Sequence, residues 1–376
     1  MKNLFRTYVY PIATLAGSII GVGFLSLPYI ALKVGIWPML FYFILLTIFM
    51  TGVHVIFAKI SLKTPDHKRF PGFVGFYLGP WAELATLTTT ILGSFGVLLV
   101  YCIIGGQFLS TMLMPLWKGS MTWYVVAFFC AGSILVYFGI KTISKVECVV
   151  LVLLFTALIV LCVGAFSGIH LKNIFSLQRS SFFSSWKTMF LPFGPIVFSL
   201  WGAGLIPEIE EMLIGKKKLL KKIIITGTLI PAVLYLAVIF LVLGISGSYT
   251  TESALVGLRY FVGPTIFSLA LFVGAVTTFM AFITQGIFLK NVFMYDMHIK
   301  EFTAWFFTCM VPLILFLMGF NSFIPLVSFI GGVLLGINGI FILLMYKKIG
   351  GKNIVVYPLT TVFILGIIYE LVYFIR

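Results

Sequence analysis

Eleven apolar runs take up nearly the whole chain, at approximately 7–32, 35–58, 81–110, 121–140, 145–167, 188–213, 220–244, 262–289, 302–319, 323–345 and 354–375. A bilayer core is crossed by about 20 apolar residues in a helix, so each run is long enough to span, and only short connections separate them. Backbone polar groups in lipid must find partners within the segment or in a closed barrel, and runs of this length require helices. The chain is therefore expected to be an all-α polytopic membrane protein with 11 transmembrane helices, here called spans 1 to 11. With 61% hydrophobic and 9% charged residues it lies far from a soluble domain. Lys2 and Arg6 ahead of the first run resemble a signal peptide. That run is too long, however, and glycines interrupt it where a small-residue cleavage site belongs.

A formal charge of +15 would point to nucleic acid in a soluble protein. With the N-terminus on the cytoplasmic side, 18 of the 25 Lys and Arg residues fall in cytoplasmic connections, and the excess alternates with every span. The basic residues thus read as a topology signal facing anionic lipid headgroups. This implies the cell (inner or plasma) membrane, a cytoplasmic N-terminus, a C-terminus outside, the lipid bilayer as partner and no nucleic acid. The five cysteines, at 102, 130, 148, 162 and 309, are scattered singly through apolar runs and read as small buried hydrophobes. His54, His67, His170 and His298 lack metal-ligand spacing and read as structural or exposed. No nucleophile elbow, Walker A loop or HExxH helix is present, so the chain is not expected to be an enzyme. The connection from Lys59 to Pro80 is expected to be a turn or surface helix. The one from Gly168 to Trp186, with Ser180, Ser181, Ser184 and Ser185, is expected to form a partial lid.

Span 1 contains TLAGSIIGVGFLSLP, Thr14 to Pro28, with Gly17, Gly21 and Gly23 inside seven positions. Glycine costs about 1 kcal/mol in a helix interior. Two readings fit: a broken helix lining a binding site, or a GxxxG packing face using Gly17 and Gly21. Span 6, FLPFGPIVFSLWGAGLIPEIEEML from Phe190 to Leu213, carries Pro192, Gly194, Pro195, Gly202, Gly204 and Pro207. Interior proline removes a backbone donor and clashes with the preceding turn, so this span is broken too. Spans 1 and 6 open successive groups of five and cross in opposite directions. Matched interruptions of that kind mark an inverted-repeat transporter and its site, whereas packing alone would have to explain both.

The stretch GSIIGVGFLSLP resembles the first-span motif of the amino acid–polyamine–organocation (APC) superfamily, most closely its amino acid/auxin permease branch and bacterial aromatic amino acid permeases. FGIKTISKVE, Phe138 to Glu147, resembles its junction of spans 4 and 5, and IPEIEE, Ile206 to Glu211, the end of its sixth span. The likeness covers essentially the whole chain; its short motifs indicate superfamily better than substrate. It implies a LeuT-like 5+5 inverted repeat with discontinuous helices 1 and 6, divided as 1–167, 168–345 and an additional helix in 346–376. It also implies alternating access, with spans 1, 2, 6 and 7 moving against spans 3, 4, 8 and 9. It gives Glu208 a gating or coupling role. The superfamily's sodium users imply a Na+ site between carbonyls of span 1, here Gly17 and Ile20, and hydroxyls of span 8, here Thr277 and Thr278, with no other cofactor. Such threonines also commonly bond to their own preceding turn. A span 5 lysine that replaces the ion in some proton-coupled relatives corresponds to Leu154, so that device is absent.

A break in span 1 turns free N–H groups and the positive end of a helix dipole into the cavity. Ser18, Ile19, Gly21, Val22 and Gly23 are thus candidates to bind an α-carboxylate, mostly through backbone. Carbonyls freed between Phe193 and Trp201 would accept from an α-ammonium. Phe193, Phe198, Trp201 and, from span 3, Tyr101 are candidate walls, with Ser199 as a hydrogen-bonding group; Gln107 lies nearer the outer face. These features point to an amino acid substrate, apolar or aromatic, carried by a permease driven by sodium or protons. A transport-inactive sensor or channel-like protein of the same fold is the alternative. All ten acidic residues fall in connections or near span ends, so no deep carboxylate relay is expected. Glu210 and Glu211 are expected to pair with Lys216 to Lys222 as solvated charges.

Overall fold

The computed structural model describes residues 5–65, 69–139, 143–164, 168–175, 186–213 and 215–375, and no strand occurs among them. Among the described residues, seven helices are long and apolar enough to cross a membrane: Ile36–Lys63, Pro80–Leu113, Met121–Phe138, Lys217–Tyr249, Pro264–Asp296, Phe323–Lys348 and Asn353–Phe374. They are spans 2, 3, 4, 7, 8, 10 and 11. Span 1 is the pair Thr7–Ile19 and Gly23–Val34, bent by 48°. Span 5 is Ile143–Gly164 and span 9 is Glu301–Leu317. Span 6 consists of Phe193–Leu200 and Ile206–Met212. The eleven expected segments are thus all helical, and the two expected interruptions are present.

Two packing groups share the work of holding the site. Span 8 lies along spans 3, 4, 5 and 9, while span 7 packs on both halves of span 1 and on span 2. Gly35, with φ of 89°, turns the chain directly from span 1 into span 2. The Lys59 to Pro80 connection contains the short helix Phe70–Leu78, whose Phe70 and Phe73 rings each stack edge-on to Phe57 at 5.4 Å. In the connection after span 5, the helix Leu171–Phe175 is tied to span 7 by Asn173 Nδ2, which donates to the Gly244 carbonyl at 3.0 Å. The serines expected to form a lid, and the centre of the span 4 to 5 junction, lie outside the described residues.

Two expectations need correction. Cys102 and Cys309 are buried as expected, but Cys130 and Cys162 are exposed, because those faces of spans 4 and 5 have no neighbouring helix. Glu210 pairs with Lys217 at 2.7 Å, yet it is buried and also accepts from the Ser61 hydroxyl, because span 2 packs over it. Glu370, near the end of span 11, is buried as well.

Candidate functional site

The first half of span 1 ends where its hydrogen bonds do. Ile20 N–H still reaches the Ala16 carbonyl at 2.9 Å, Gly21 N–H folds back to Ile19 at 2.9 Å, and pairing resumes with Leu25 N–H to Val22 at 3.0 Å. The N–H groups of Val22, Gly23 and Phe24 make no backbone hydrogen bond. The glycines here allow close approach: a Cβ on Gly21 would stand 2.8 Å from the Tyr101 hydroxyl, and one on Gly23 would stand 2.6 Å from Phe198 Cδ1. These neighbours come from spans 3 and 6, so the stretch is a break rather than a GxxxG helix face.

Span 6 breaks in a matching way. Its helix ends at Leu200, Trp201 is extended with ψ of 121°, and the Leu200 and Trp201 carbonyls accept no backbone hydrogen bond. Gly202 N–H donates to Nε2 of buried His54 at 3.2 Å. An amide nitrogen can only donate, so Nε2 accepts; the proton of the neutral ring sits on Nδ1, 3.3 Å from the Thr228 hydroxyl. From span 7, the Tyr235 hydroxyl donates to the Ile19 carbonyl at 2.8 Å and lies 3.1 Å from the Ser199 carbonyl.

The two breaks face a cavity of about 230 Å³. Span 1 lines it with Gly17, Ser18, Ile19, Ile20, Gly21 and Gly23; span 3 contributes Tyr101; span 6 contributes Phe198, Ser199 and Trp201. Ser18 and Ser199 hydroxyls donate to their own helices, to Leu15 and Pro195. Phe193 lies outside this lining, packed on Gly366 of span 11, and Glu208 is exposed on the second half of span 6, also outside it. The cavity extends past Gly204 and Leu205 toward Phe70, the end of the bundle that carries the N-terminus and the Lys216 to Lys222 run.

Sequence reasoning missed a polar floor. Thr89 Oγ1 donates to Asn338 Oδ1 at 2.7 Å, and Gln285 Nε2 donates to Ser94 Oγ at 2.9 Å, joining spans 3, 10 and 8 beneath the breaks. The signal was present as polar residues recurring on one helical face, Thr89, Ser94 and Tyr101 on span 3 and Thr277, Thr284 and Gln285 on span 8. His54 and Tyr235 lie in spans 2 and 7, away from the two breaks in sequence, and gain their roles only through partners on other spans.

Behind the span 1 break, a second cavity of about 30 Å³ is lined by Gly21, Val22, Leu154, Thr277 and Thr278 among others. Gly17 and Ile20 face only the main cavity, whereas Thr277 borders both. The Thr277 and Thr278 hydroxyls donate to the Val273 and Gly274 carbonyls at 2.8 and 2.7 Å, which leaves their lone pairs available. Apart from these two hydroxyls the cavity is walled by apolar side chains such as Leu154, Leu158 and Val273, and its volume admits one water-sized particle.

No curated protein sequence matches the chain. Among solved structures, the crystal structure of MhsT in complex with L-phenylalanine is similar over 98% of both chains, with a TM-score of 0.63 at 16% identity. That likeness gives the fold, a LeuT-like 5+5 inverted repeat with discontinuous spans 1 and 6. Residues 8–349 match the tryptophan/tyrosine permease family. Two facing helix breaks around an apolar cavity with a polar floor are the site of a membrane transporter rather than an enzyme, and the chain belongs to the tryptophan/tyrosine permease family.

Proposed function

We propose that the protein is a secondary active transporter of aromatic and other apolar amino acids, working by alternating access in the cell membrane, within the amino acid/auxin branch of the APC superfamily. The observation that carries this is the opposition of two helix breaks across one cavity: Gly21 and Gly23 line it from span 1, where the Gly23 N–H makes no backbone hydrogen bond, and Trp201 and Gly202 line it from span 6, where the Trp201 carbonyl accepts none. An α-carboxylate binds at the first break, an α-ammonium at the second, and neither requires a buried side-chain charge. Tyr101, Phe198 and Trp201 enclose the side chain. Gln285 and Asn338 on the polar floor receive an indole N–H or phenol O–H. L-phenylalanine in the MhsT crystal structure supports an aromatic substrate.

The N-terminus is cytoplasmic, the C-terminus outside, and the cavity opens inward, with Tyr101 and Phe198 closing its outer side. The repeats divide at 1–167 and 168–345, with 346–376 as the added helix. A sodium or proton gradient drives the cycle. Thr277 and Thr278 with backbone of Gly21 and Val22 would hold a sodium ion, supplying positive charge that fixes span 1 against span 8. Glu208 serves the inner gate. Proteoliposomes given a panel of labelled amino acids under imposed sodium or proton gradients test this. Gradient-driven uptake of tryptophan, tyrosine or phenylalanine is expected. If no gradient drives uptake and no amino acid raises the melting temperature, the reading fails in favour of a sensor or channel-like protein.

A further inference from the structure

At the end of the bundle away from the cavity mouth, Glu370 of span 11 is 1% exposed, and neither of its carboxyl oxygens has a hydrogen-bond partner. The buried Ser328 hydroxyl on span 10 has none either. Glycine backbone forms the walls of the pocket. A Cβ on Gly194, in the first half of span 6, would stand 2.6 Å from Glu370 Oε1 and 2.5 Å from the Ser328 carbonyl. A Cβ on Gly332 would collide with Glu370 Cγ, and one on Gly331 with the Gly194 carbonyl. Gly331 and Gly332 belong to a π-helical turn, Ile330–Leu334, which packs on the first half of span 6; such turns recur at functional sites. Three elements therefore close over one carboxyl: the first half of span 6, the π turn of span 10, and span 11 itself.

Among the described residues, no cation pairs with Glu370. Phe193–Leu200 of span 6 and the residues from Phe323 to Leu335 of span 10 contain no ionisable side chain. Among the described residues, the ionisable neighbours on span 11 are phenols: Tyr369 is next to Glu370, and Tyr373 and Tyr42 surround Tyr369. Burying an unpaired carboxylate is far costlier than burying the neutral acid. The closed pocket is thus compatible with a protonated Glu370 and works against an ionised one.

We propose that Glu370 is a proton-binding site that latches the outer half of span 6. The proton joins a carboxyl oxygen from outer water as Gly194 and the π turn close, and returns to outer water when span 6 swings away and hydrates the group. This rests on the reading of the chain as an alternating-access transporter. Uptake and release occur on the same side, so the latch moves no proton across the membrane. It makes the balance between outward-open and inward-open forms depend on outer pH, with acid favouring closure. Coupling to sodium or protons elsewhere is independent of it.

The test uses the full chain in lipid nanodiscs, in a cysteine-free background with spin labels at M189C and N321C, reading the distance between the outer ends of spans 6 and 10. In the wild-type background the closed population is expected to fall as pH rises, with a limiting slope of about tenfold per pH unit for one proton. Glu370→Gln is expected to stay closed throughout. A pH-independent wild type, or an identical pH dependence in Glu370→Gln, overturns the proposal. Should the Gln variant not fold, infrared spectra of the wild type decide: the C=O stretch of a protonated carboxyl must be present in the closed form and vanish as the open form is populated in alkali, and its absence overturns the latch. The distances need neither substrate nor gradient, so failed uptake refutes the transport reading while pH-dependent distances still support the latch.

Discussion

The Tyr235 hydroxyl donates to the Ile19 carbonyl at 2.8 Å, which fixes span 7 to the last residue of the first half of span 1. The same oxygen lies 3.1 Å from the Ser199 carbonyl, so one phenol secures the ends of both half-helices. Tyr235→Phe leaves both buried carbonyls without that donor, at a cost of about 1–3 kcal/mol. A lower melting temperature in detergent and slower uptake at full expression are expected. Unchanged values of both would show that the two breaks do not depend on this bond.

Gly21→Leu places a branched side chain where the Tyr101 hydroxyl now sits. Uptake is expected to be lost while membrane insertion, followed by expression and size-exclusion profile, is retained. Preserved uptake would remove the first break from the binding site.

His54 is the acceptor for Gly202 N–H. His54→Phe strands that buried amide, at about 1–3 kcal/mol, and lowers the melting temperature. His54→Gln retains an acceptor and a donor and is expected to recover part of the loss. Equal destabilisation by both would assign the position to packing.

Gln285 lines the cavity and donates through Nε2 to the Ser94 hydroxyl. Gln285→Leu is expected to weaken discrimination of tyrosine and tryptophan over phenylalanine by tenfold or more, since a site built to hydrogen-bond a polar group rejects the analogue lacking it. Competition of the three amino acids against one labelled substrate measures this; an unaltered ratio would place the polar tip elsewhere.

Thr277→Val with Thr278→Val removes the two hydroxyls beside the 30 Å³ cavity. If sodium is the coupling ion, the sodium concentration for half-maximal uptake is expected to rise at least about tenfold, by analogy with lost ligand-orienting partners at metal sites. A carrier that uses no sodium will keep its uptake and show no sodium response in either form.

The membrane class and both interruptions were legible because they are properties of runs: length, apolarity, and clusters of Gly and Pro that no regular helix tolerates. Backbone N–H groups left without a backbone partner at Val22 and Gly23 followed from the same signal. Phe198 and Trp201 were found because they adjoin the second break; Phe193 adjoins it too, yet it sits on the opposite face of the half-helix, packed on Gly366. A sequence window names the turn and leaves the face open. Tyr235, His54 and Asn338 were illegible for a different reason. Each matters only through a partner more than 30 residues away, and a sequence does not name the partner. Glu370 was visible as a charge near a span end, but its burial depends on glycines of two other spans.

The span 1 donor at the cavity, the Gly23 N–H, belongs to the peptide chain, and every amino acid but proline provides one. An alanine scan across Val22 to Phe24 would therefore alter shape without deleting a single donor, and a map of the site drawn from side-chain loss would leave its most general part blank. Changes at Phe198, Trp201 or Gln285 are free to retune which side chain is accepted while the grip on the part common to all amino acids persists. Selection on substrate range can thus act on one set of residues without reopening the question of whether an amino acid binds at all.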